Sequence, residues 1–208
     1  INNIKLLIIK CMFNKKEIFF LPIKIDNEKV YAGFWKRLSA GIIDMLVMIP
    51  FMVITHFTQS ISIISSMITL VIMAVLGIIY TIFFHYHFGA TIGKMVVGIK
   101  ITRPDGSKIS LTQAVLRSSI DIGFCIVMVI SQLIALNYAD PEIYLNAGPI
   151  DRAKYILLLY PAWYSTVRSA SELWTWSEFI VLLFNKRKRA IHDFIAGTIV
   201  IKKQYSKH

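Results

Sequence analysis

Cysteines and charged residues are both scarce in this sequence, and their scarcity excludes several classes of protein. The two cysteines, Cys11 and Cys125, lie far apart without paired spacing, which excludes a disulfide framework and a thiolate metal site. Charged residues make up only 17% of the 208 residues, less than an ordinary soluble domain carries. Gly-x-Ser-x-Gly, P-loop and zincin motifs are missing as well. We therefore expect no enzyme, no cofactor and no metal site.

Long apolar runs are what the sequence does contain. Hydrophobic residues make up 56% of the chain and its mean hydropathy is +0.61. Because a helix needs roughly 20 apolar residues to cross a bilayer, we predict spans at 38–57, 61–84, 118–138 and 171–184. Residues 155–170 include Pro161 and predict an interfacial or re-entrant helix. The expected fold is an all-α membrane protein, a polytopic bundle of about four transmembrane helices.

The distribution of Lys and Arg predicts the orientation. The formal net charge is +11, and the basic residues cluster before residue 38, between 85 and 117, and after 185. The positive-inside rule then places both termini and the 85–117 segment in the cytosol, at the inner or plasma membrane. The excess charge favours contact with the bilayer and its anionic headgroups over nucleic acid. Residues 1–30 would form a cytosolic tail, 31–202 the membrane domain and 203–208 a C-terminal tail.

The expected cytosolic segments also predict local structure. The Pro104-Asp105-Gly106 turn separates two β-prone runs and favours a hairpin. A small sheet that joins residues 96–102 to 198–202 is a further hypothesis. Ser110 and Gln113 have capping-box spacing, so a helix should begin there and continue into span three. The GxxxG spacing of Gly89 and Gly93 lies outside a clean span and favours a tight turn over helix dimerisation.

Asp44 is the most unusual residue of the first span. It lies seven residues after Arg37, so the two share nearly one helical face about 10 Å apart along the axis. A charged aspartate within the bilayer costs at least about 2.5 kcal/mol, so Asp44 should face a partner or a wet cavity. One hypothesis makes Asp44 functional; the other has it bond a second helix, through Arg117 or a serine, and fix the bundle.

Two other charged stretches lie close to the membrane. Arg117 and Asp121 are four residues apart, and we expect an ion pair that anchors span three. Asp44 and Asp121 both fall in the cytosolic half of their spans and could instead line a cytosol-facing vestibule. The basic run Lys186, Arg187, Lys188 and Arg189 is predicted to bind anionic headgroups. His192 and Asp193 follow it, and Asp193 could reach the ends of spans one and three. Gly197 suits a helix C-cap.

Three segments together resemble the RDD family of membrane proteins, which is named for one arginine and two aspartates. They read YAGFWKRLSAGIID (31–44), FGATIGKMVVGIKITRPDGSKISLTQAVLR (88–117) and LFNKRKRAIHDFIAGTIV (183–200). The resemblance implies that Arg37 is the family arginine and Asp44 the first aspartate. It assigns the second aspartate to Asp193, with Asp121 as the other candidate. Residues 135–171 match no motif of the family.

The resemblance also implies a function, transport of an unidentified ligand, since some members look like sodium/proton exchangers. Asp44 would then alternate between a proton and a monovalent cation, with Arg37 lowering its pKa, and a homo-oligomer would complete the pathway. On this hypothesis Asp44→Asn abolishes cation-driven pH changes and leaves folding intact. Alternatively, the chain is a scaffold or assembly protein that uses Asp44 for packing, or a lipid-handling or regulatory protein that depends on residues 186–189.

Overall fold

The computed structural model describes residues 20–207, which fold mainly into α-helices. The helices are α1 (Phe34–Gln59), α2 (Ile63–Phe88), α3 (Ile92–Val96), α4 (Leu111–Asn137), α5 (Pro141–Asn146), α6 (Pro149–Leu158), α7 (Tyr164–Phe184) and α8 (Ile191–Ile195). The strands are β1 (Lys24–Ile25), β2 (Glu28–Lys29), β3 (Ile99–Thr102) and β4 (Ile199–Lys202). The part of the predicted N-terminal tail before residue 20 lies outside the described residues.

Three helical segments among the described residues are long and apolar enough to cross a membrane: α1, the segment Ile63–Val96 that contains α2, and α4. With 26 or 27 residues each, α1, α2 and α4 are roughly 40 Å long, more than the hydrocarbon core requires. Each extends beyond its predicted apolar run. The capping box of Ser110 and Gln113 begins α4 at Leu111, as the sequence predicts.

The fourth predicted span differs from the structure at its start. Helix α7 begins at Tyr164 rather than at 171, and a separate helix, α6, ends before Pro161. The reason is an ion pair: Arg168 and Glu172 are both exposed and bridge one turn of α7, so charges that break the apolar pattern still continue the helix. Helix α7 packs along α4 and is more polar than the three segments that meet the length and apolarity required for a span.

The predicted sheet is present, but the predicted hairpin is wrong. Strands β3 and β4 pair antiparallel, with Ile99 opposite Lys202 and Thr102 opposite Ile199. The segment after Gly106 forms no strand, because it leads directly to the Ser110 cap of α4. On the other edge of β4 the backbone of 30–32 bonds to Val200 and Lys202. The residues just before α1 therefore belong to this sheet.

Buried apolar clusters lie at the two ends of the helical bundle. At the sheet end, which carries β3 and β4, they include Ile99, Ile101, Val200 and Ile201. At the far end, which carries α5 and α6, Leu136 and other side chains pack together. Between the ends, α1 and α2 leave many large apolar side chains exposed. Such a surface is stable only against lipid or another apolar partner.

Candidate functional site

A buried carboxylate, Asp193 of α8, collects ion pairs from distant parts of the chain. Its Oδ2 atom accepts hydrogen bonds from Arg37 Nη1 at 2.9 Å and from the backbone N–H of Ala190 at 2.9 Å. Its Oδ1 atom contacts Arg117 Nη1. Arg37 lies in the first turns of α1 and Arg117 in those of α4, so one side chain joins α1, α4 and α8. The prediction that Asp193 reaches spans one and three is confirmed.

The turn between α7 and α8 brings Asp193 to this position. Lys188 adopts a left-handed conformation, with φ of 49°, and its carbonyl oxygen accepts a hydrogen bond from Arg37 Nη2 at 2.5 Å. Asp193 lies in the first turn of α8. A carboxylate there accepts a hydrogen bond from a free backbone N–H and interacts favourably with the positive end of the helix dipole. Gly197 then ends the segment with φ of 63°, as its sequence position predicts.

Asp193 is ionised because of its two arginines. Burial by itself raises the pKa of the Asp193 carboxyl, but the charges of Arg117 and Arg37 outweigh burial and hold this pKa well below its usual range. Removing one partner of such a buried pair leaves a charge without compensation, which is far more destabilising than losing a surface pair.

His192 and Glu178 extend these contacts toward α7. The Nε2 atom of His192 accepts a hydrogen bond from Arg117 Nη2, and its Nδ1–H contacts the Glu178 carboxylate. The backbone N–H of His192 also donates to Glu178 Oε1, at 3.2 Å. Burial and the charge of Arg117 lower the pKa of His192, so its ring is neutral at pH 7 and carries its proton on Nδ1. We call Arg37, Arg117, Glu178, His192 and Asp193 the Asp193 cluster.

Asp44 lies in a separate network. Its Oδ2 accepts a hydrogen bond from the Thr91 hydroxyl at 2.6 Å, and its Oδ1 accepts one from the Gly93 N–H at 2.7 Å. The carboxylate therefore caps the N-terminus of α3, which has no side-chain cap of its own. Arg37 contacts Asp193 instead of Asp44, so the expected Arg37–Asp44 partnership is not formed. The hypothesis that Asp44 bonds a second helix is confirmed, but its partners are Thr91 and Gly93 and not Arg117 or a serine.

The predicted ion pair between Arg117 and Asp121 is also not formed. The Arg117 guanidinium turns toward Asp193, His192 and the Thr198 hydroxyl, which is 2.9 Å from Nη1. Asp121 accepts a hydrogen bond from Trp174 Nε1 at 3.0 Å. Local spacing permitted the pair, but Arg117 forms its contacts with α8 and Asp121 forms its hydrogen bond with α7.

A cavity of about 240 Å³ with charged side chains in its wall opens beside the Asp193 cluster. Arg37, Arg117, Glu178 and His192 of the cluster line it, and Lys94, Asp121 and Trp174 complete its polar wall. Lys94 also reaches the buried His85, at 3.2 Å between Nζ and Nε2. Sequence analysis did not select four of the lining residues as site residues: Lys94, Trp174, Glu178 and His192. The signal at Glu178 was the one used for Asp44: an acid within a long helix needs a partner.

Some side chains of the basic run that is predicted to bind headgroups make contacts within the protein instead. The Arg187 guanidinium lies over the Phe20 ring at 4.1 Å, and that of Arg189 lies over Phe194 at the same distance. Arg189 also donates to the carbonyl oxygens of Thr198 and Asp193. Lys186 is exposed. Contact of the run with anionic headgroups stays a prediction, and Lys186 is the residue best placed for it.

The apolar helices and the buried charges at one end define a class: a helical membrane protein whose helices are tied together by ion pairs. The chain belongs to the RDD family, whose sequence model matches residues 31–197. It is also similar to the uncharacterized protein YckC of Bacillus subtilis (strain 168), with 33% identity over 87 residues, 41% of this chain and 56% of YckC. The chain thus spans little more than half the length of that relative. No solved structure matches.

Proposed function

We propose that the chain crosses the membrane four times, with the sheet end in the cytosol at the plasma or inner membrane. Helices α1, α2 and α4 alternate in direction, and α7 runs back toward the sheet end beside α4, where the Phe179 ring meets Phe34 of α1 edge to face. Lys36, Lys100 and Lys203 all lie at the sheet end, around one open groove. Concentrating basic residues on one side favours the cytosolic assignment.

Cysteine labelling tests this topology in a background without Cys11 and Cys125. We expect an impermeant maleimide to label Lys154→Cys, at the far end, in intact cells and to label Lys207→Cys only after lysis. Lys154 is 72% exposed and Lys207 is also exposed, so both thiols can react. Equal labelling of the two positions in intact cells would contradict four crossings with this orientation.

We further propose that the protein exchanges protons for a small monovalent cation, using the acids that face the 240 Å³ cavity. This cavity is the observation that carries the proposal. Asp121 and Glu178 both line this cavity, and the described hydrogen bonds to each carboxylate come from one residue: Trp174 for Asp121 and His192 for Glu178. Ionisable groups inside membrane proteins are functional candidates because their cost must be offset.

The two acids that line the cavity favour a cation. Neither Asp121 nor Glu178 forms an ion pair with a lysine or arginine among residues 20–207, and the His192 ring beside Glu178 is neutral. Arg37 and Arg117 are both held by Asp193. In a medium of low dielectric constant a carboxylate without a paired cation attracts a counter-ion strongly, and one proton or one alkali cation neutralises it.

Asp44 and Asp193 suit a structural part better than an ion-binding part. Both oxygens of Asp44 accept hydrogen bonds from α3 and its cap, and both oxygens of Asp193 contact arginines. A cation that bound either carboxylate would have to displace these donors. Asp121 and Glu178 present fewer competing contacts, so the proposal assigns the exchange to them.

A flux assay in proteoliposomes tests the exchange. Purified protein is given gradients of Li⁺, Na⁺ and K⁺ while an internal dye reports pH. We expect Asp121→Asn and Glu178→Gln to lower the cation-driven pH change by about tenfold or more, because each removes a charged ligand. Glu172→Gln is the matched control, since Glu172 lies on the same helix as Glu178 but forms an exposed pair with Arg168.

Other outcomes assign the function differently. Wild-type protein without flux for any of these cations would overturn the exchange proposal. Loss of flux in Asp44→Asn at unchanged stability, with retention in Asp121→Asn, would return the role to the aspartate that sequence analysis favoured. Because α1, α2, α4 and α7 enclose little space by themselves, we propose that the exchanger is a homo-oligomer.

A scaffold, assembly or regulatory function is the second candidate. The observation that favours it is that several charged residues at the sheet end connect one helix to another. Those that make such contacts are Arg37, Asp44, Arg117 and Asp193. In such a protein, substitution of these residues would lower the abundance of the protein, and there would be no transport activity to lose. The flux assay separates the two functions.

A further inference from the structure

The far end of the bundle contains a second polar cavity, remote from the Asp193 cluster. It has a volume of about 190 Å³ and lies where the end of α1, α4 and α6 meet. Its polar lining consists of His56, Gln59, Gln132, Tyr144, Arg152 and Tyr160. No acidic side chain is among the lining residues.

Arg152 is buried beside this cavity without an acidic partner. Only 7% of the residue is exposed, and no carboxylate among the described residues forms an ion pair with its guanidinium. Its Nε donates to the Tyr144 carbonyl at 2.9 Å, and its Nη2 donates to the carbonyls of Leu145 and Ala147. Nη1 donates to the Ser60 hydroxyl at 3.2 Å.

The guanidinium also lies over the Tyr144 ring, 5.0 Å from its centroid, but none of these contacts supplies a formal negative charge. A guanidinium has five N–H donors, so the four contacts leave one N–H of Nη1 free. Buried arginines are normally paired, because carbonyl oxygens do not supply a full negative charge. The nearby acid Asp151 is exposed and pairs with Lys154. The structure thus has a buried cation that lacks its counter-ion among residues 20–207.

Further donors of the cavity are free as well. The side-chain amides of Gln59 and Gln132 and the ring of His56 have no hydrogen-bond partner within residues 20–207. Burial raises the pKa of the Tyr160 phenol to about 12, so its hydroxyl keeps its proton and can donate. These groups come from three separate elements and converge on one space next to Arg152. A cavity with an uncompensated cation and neutral donors is complementary to an anion.

We propose that the far-end cavity binds a small oxyanion, a carboxylate or phosphate group. Arg152 supplies the charge through its free Nη1–H, and the amides of Gln59 and Gln132 donate to the remaining oxygens. The site differs from the proposed exchange site in position and in the charge of its ligand. The same chemistry is offered by a free anion and by the headgroup of an anionic lipid, and the experiment distinguishes these sources.

Thermal unfolding of the purified full chain tests the site. Inorganic phosphate and acetate are titrated against protein in neutral detergent, with chloride added to hold the ionic strength. A ligand of the folded state raises the melting temperature with concentration. We expect Gln132→Leu to weaken the binding of phosphate or acetate by about tenfold, the loss of one hydrogen bond to a charged group. Lys154→Gln, which removes an exposed positive charge from the same helix as Arg152, should leave binding unchanged.

The lipid arm uses nanodiscs. If free phosphate and acetate do not bind, stabilisation by phosphatidylglycerol over phosphatidylcholine that Gln132→Leu weakens would assign the site to a headgroup. Gln132→Leu is chosen because the Gln132 side chain makes no hydrogen bond within residues 20–207, whereas Arg152→Gln also removes the hydrogen bonds that hold residues 144–147. Two results would overturn the proposal: equal shifts of the melting temperature in wild type and Gln132→Leu in both experiments, or no shift in either. Arg152 would then only hold residues 144–147 in place through its hydrogen bonds.

Discussion

Asp193→Asn should destabilise the protein by about 3–5 kcal/mol, the cost of breaking a buried ion pair by removing one partner. Asparagine keeps the size of the side chain, but it removes the charge that compensates Arg37 and Arg117. Arg117 is only 4% exposed, so water cannot replace the lost carboxylate. The measurement is the free energy of unfolding in mixed micelles, followed by tryptophan fluorescence as the fraction of denaturing detergent rises.

The control for Asp193→Asn is Asp151→Asn, which removes the acid of an exposed pair with Lys154 and should cost less than about 1 kcal/mol. The pH dependence adds a second check. Because the folded-state pKa of Asp193 is lowered, its contribution is fully present above its unfolded pKa and is lost as the pH falls through the folded value. The difference between wild type and Asp193→Asn should therefore stay constant from neutral pH down to the ordinary aspartate range. Similar stabilities for Asp193→Asn and Asp151→Asn would contradict the buried ion pair.

Gly93→Ala should be nearly as damaging, by about 3 kcal/mol or more. A Cβ at this position would lie 2.1 Å from the Ala40 carbonyl oxygen and 2.8 Å from Asp44 Cγ. Both obstacles belong to α1, and one of them is backbone, so α3 would have to move away from α1. That movement breaks the hydrogen bonds from Gly93 and Thr91 to Asp44. Unfolding in mixed micelles again measures the loss.

Gly41→Ala is the matched control for Gly93→Ala. Gly41 lies in α1 beside Ala40, and a Cβ there meets no atom within 4 Å. Since alanine is the better helix former, we expect Gly41→Ala to be neutral or slightly stabilising. Equal stabilities of the two alanine variants would mean that α3 does not approach α1 as closely as the structure has it.

The three residues that the resemblance assigns to the family pattern, Arg37, Asp44 and Asp193, have two structural tasks. Arg37 and Asp193 meet each other across most of the chain and join α1 to α8. Asp44 holds α3 against α1. All three therefore fix the same end of the bundle, the end that encloses the 240 Å³ cavity. Substituting any of them would disturb the shape of the cavity through the backbone, even where the side chain does not line it.

Features that depend on neighbouring residues were predicted well. The Ser110 and Gln113 cap and the left-handed Gly197 are both present. The predicted pairing of 96–102 with 198–202 is also present, as Ile99–Thr102 with Ile199–Lys202, although it joins distant parts of the chain. The hairpin around Gly106 was wrong because the second run is too close to the α4 cap to form a strand. Helix α7 begins before the predicted fourth span, at Tyr164, because i,i+4 ion pairing can continue a helix beyond its apolar part.

The candidate site was predicted by residue but not by contact. Sequence analysis selected Arg37, Asp44, Arg117, Asp121 and Asp193, and it expected Arg37 to act on Asp44 and Arg117 to pair with Asp121. Both expectations used spacing along one helix. Each charged side chain instead has its partner on another element. The partners of a charged side chain depend on which helices pack beside it, and not only on its spacing along its own helix.

The sequence by itself determined the apolar helices, the family and the set of charged residues, since composition and local spacing are properties of neighbours along the chain. Only the tertiary structure decided that Asp193 lies between two arginines, that Asp44 caps α3, and that Arg152 is buried without an acid. These facts depend on where residues tens of positions apart come to lie once the helices pack. In a low-dielectric interior, that proximity rather than sequence spacing sets the energy of a charge.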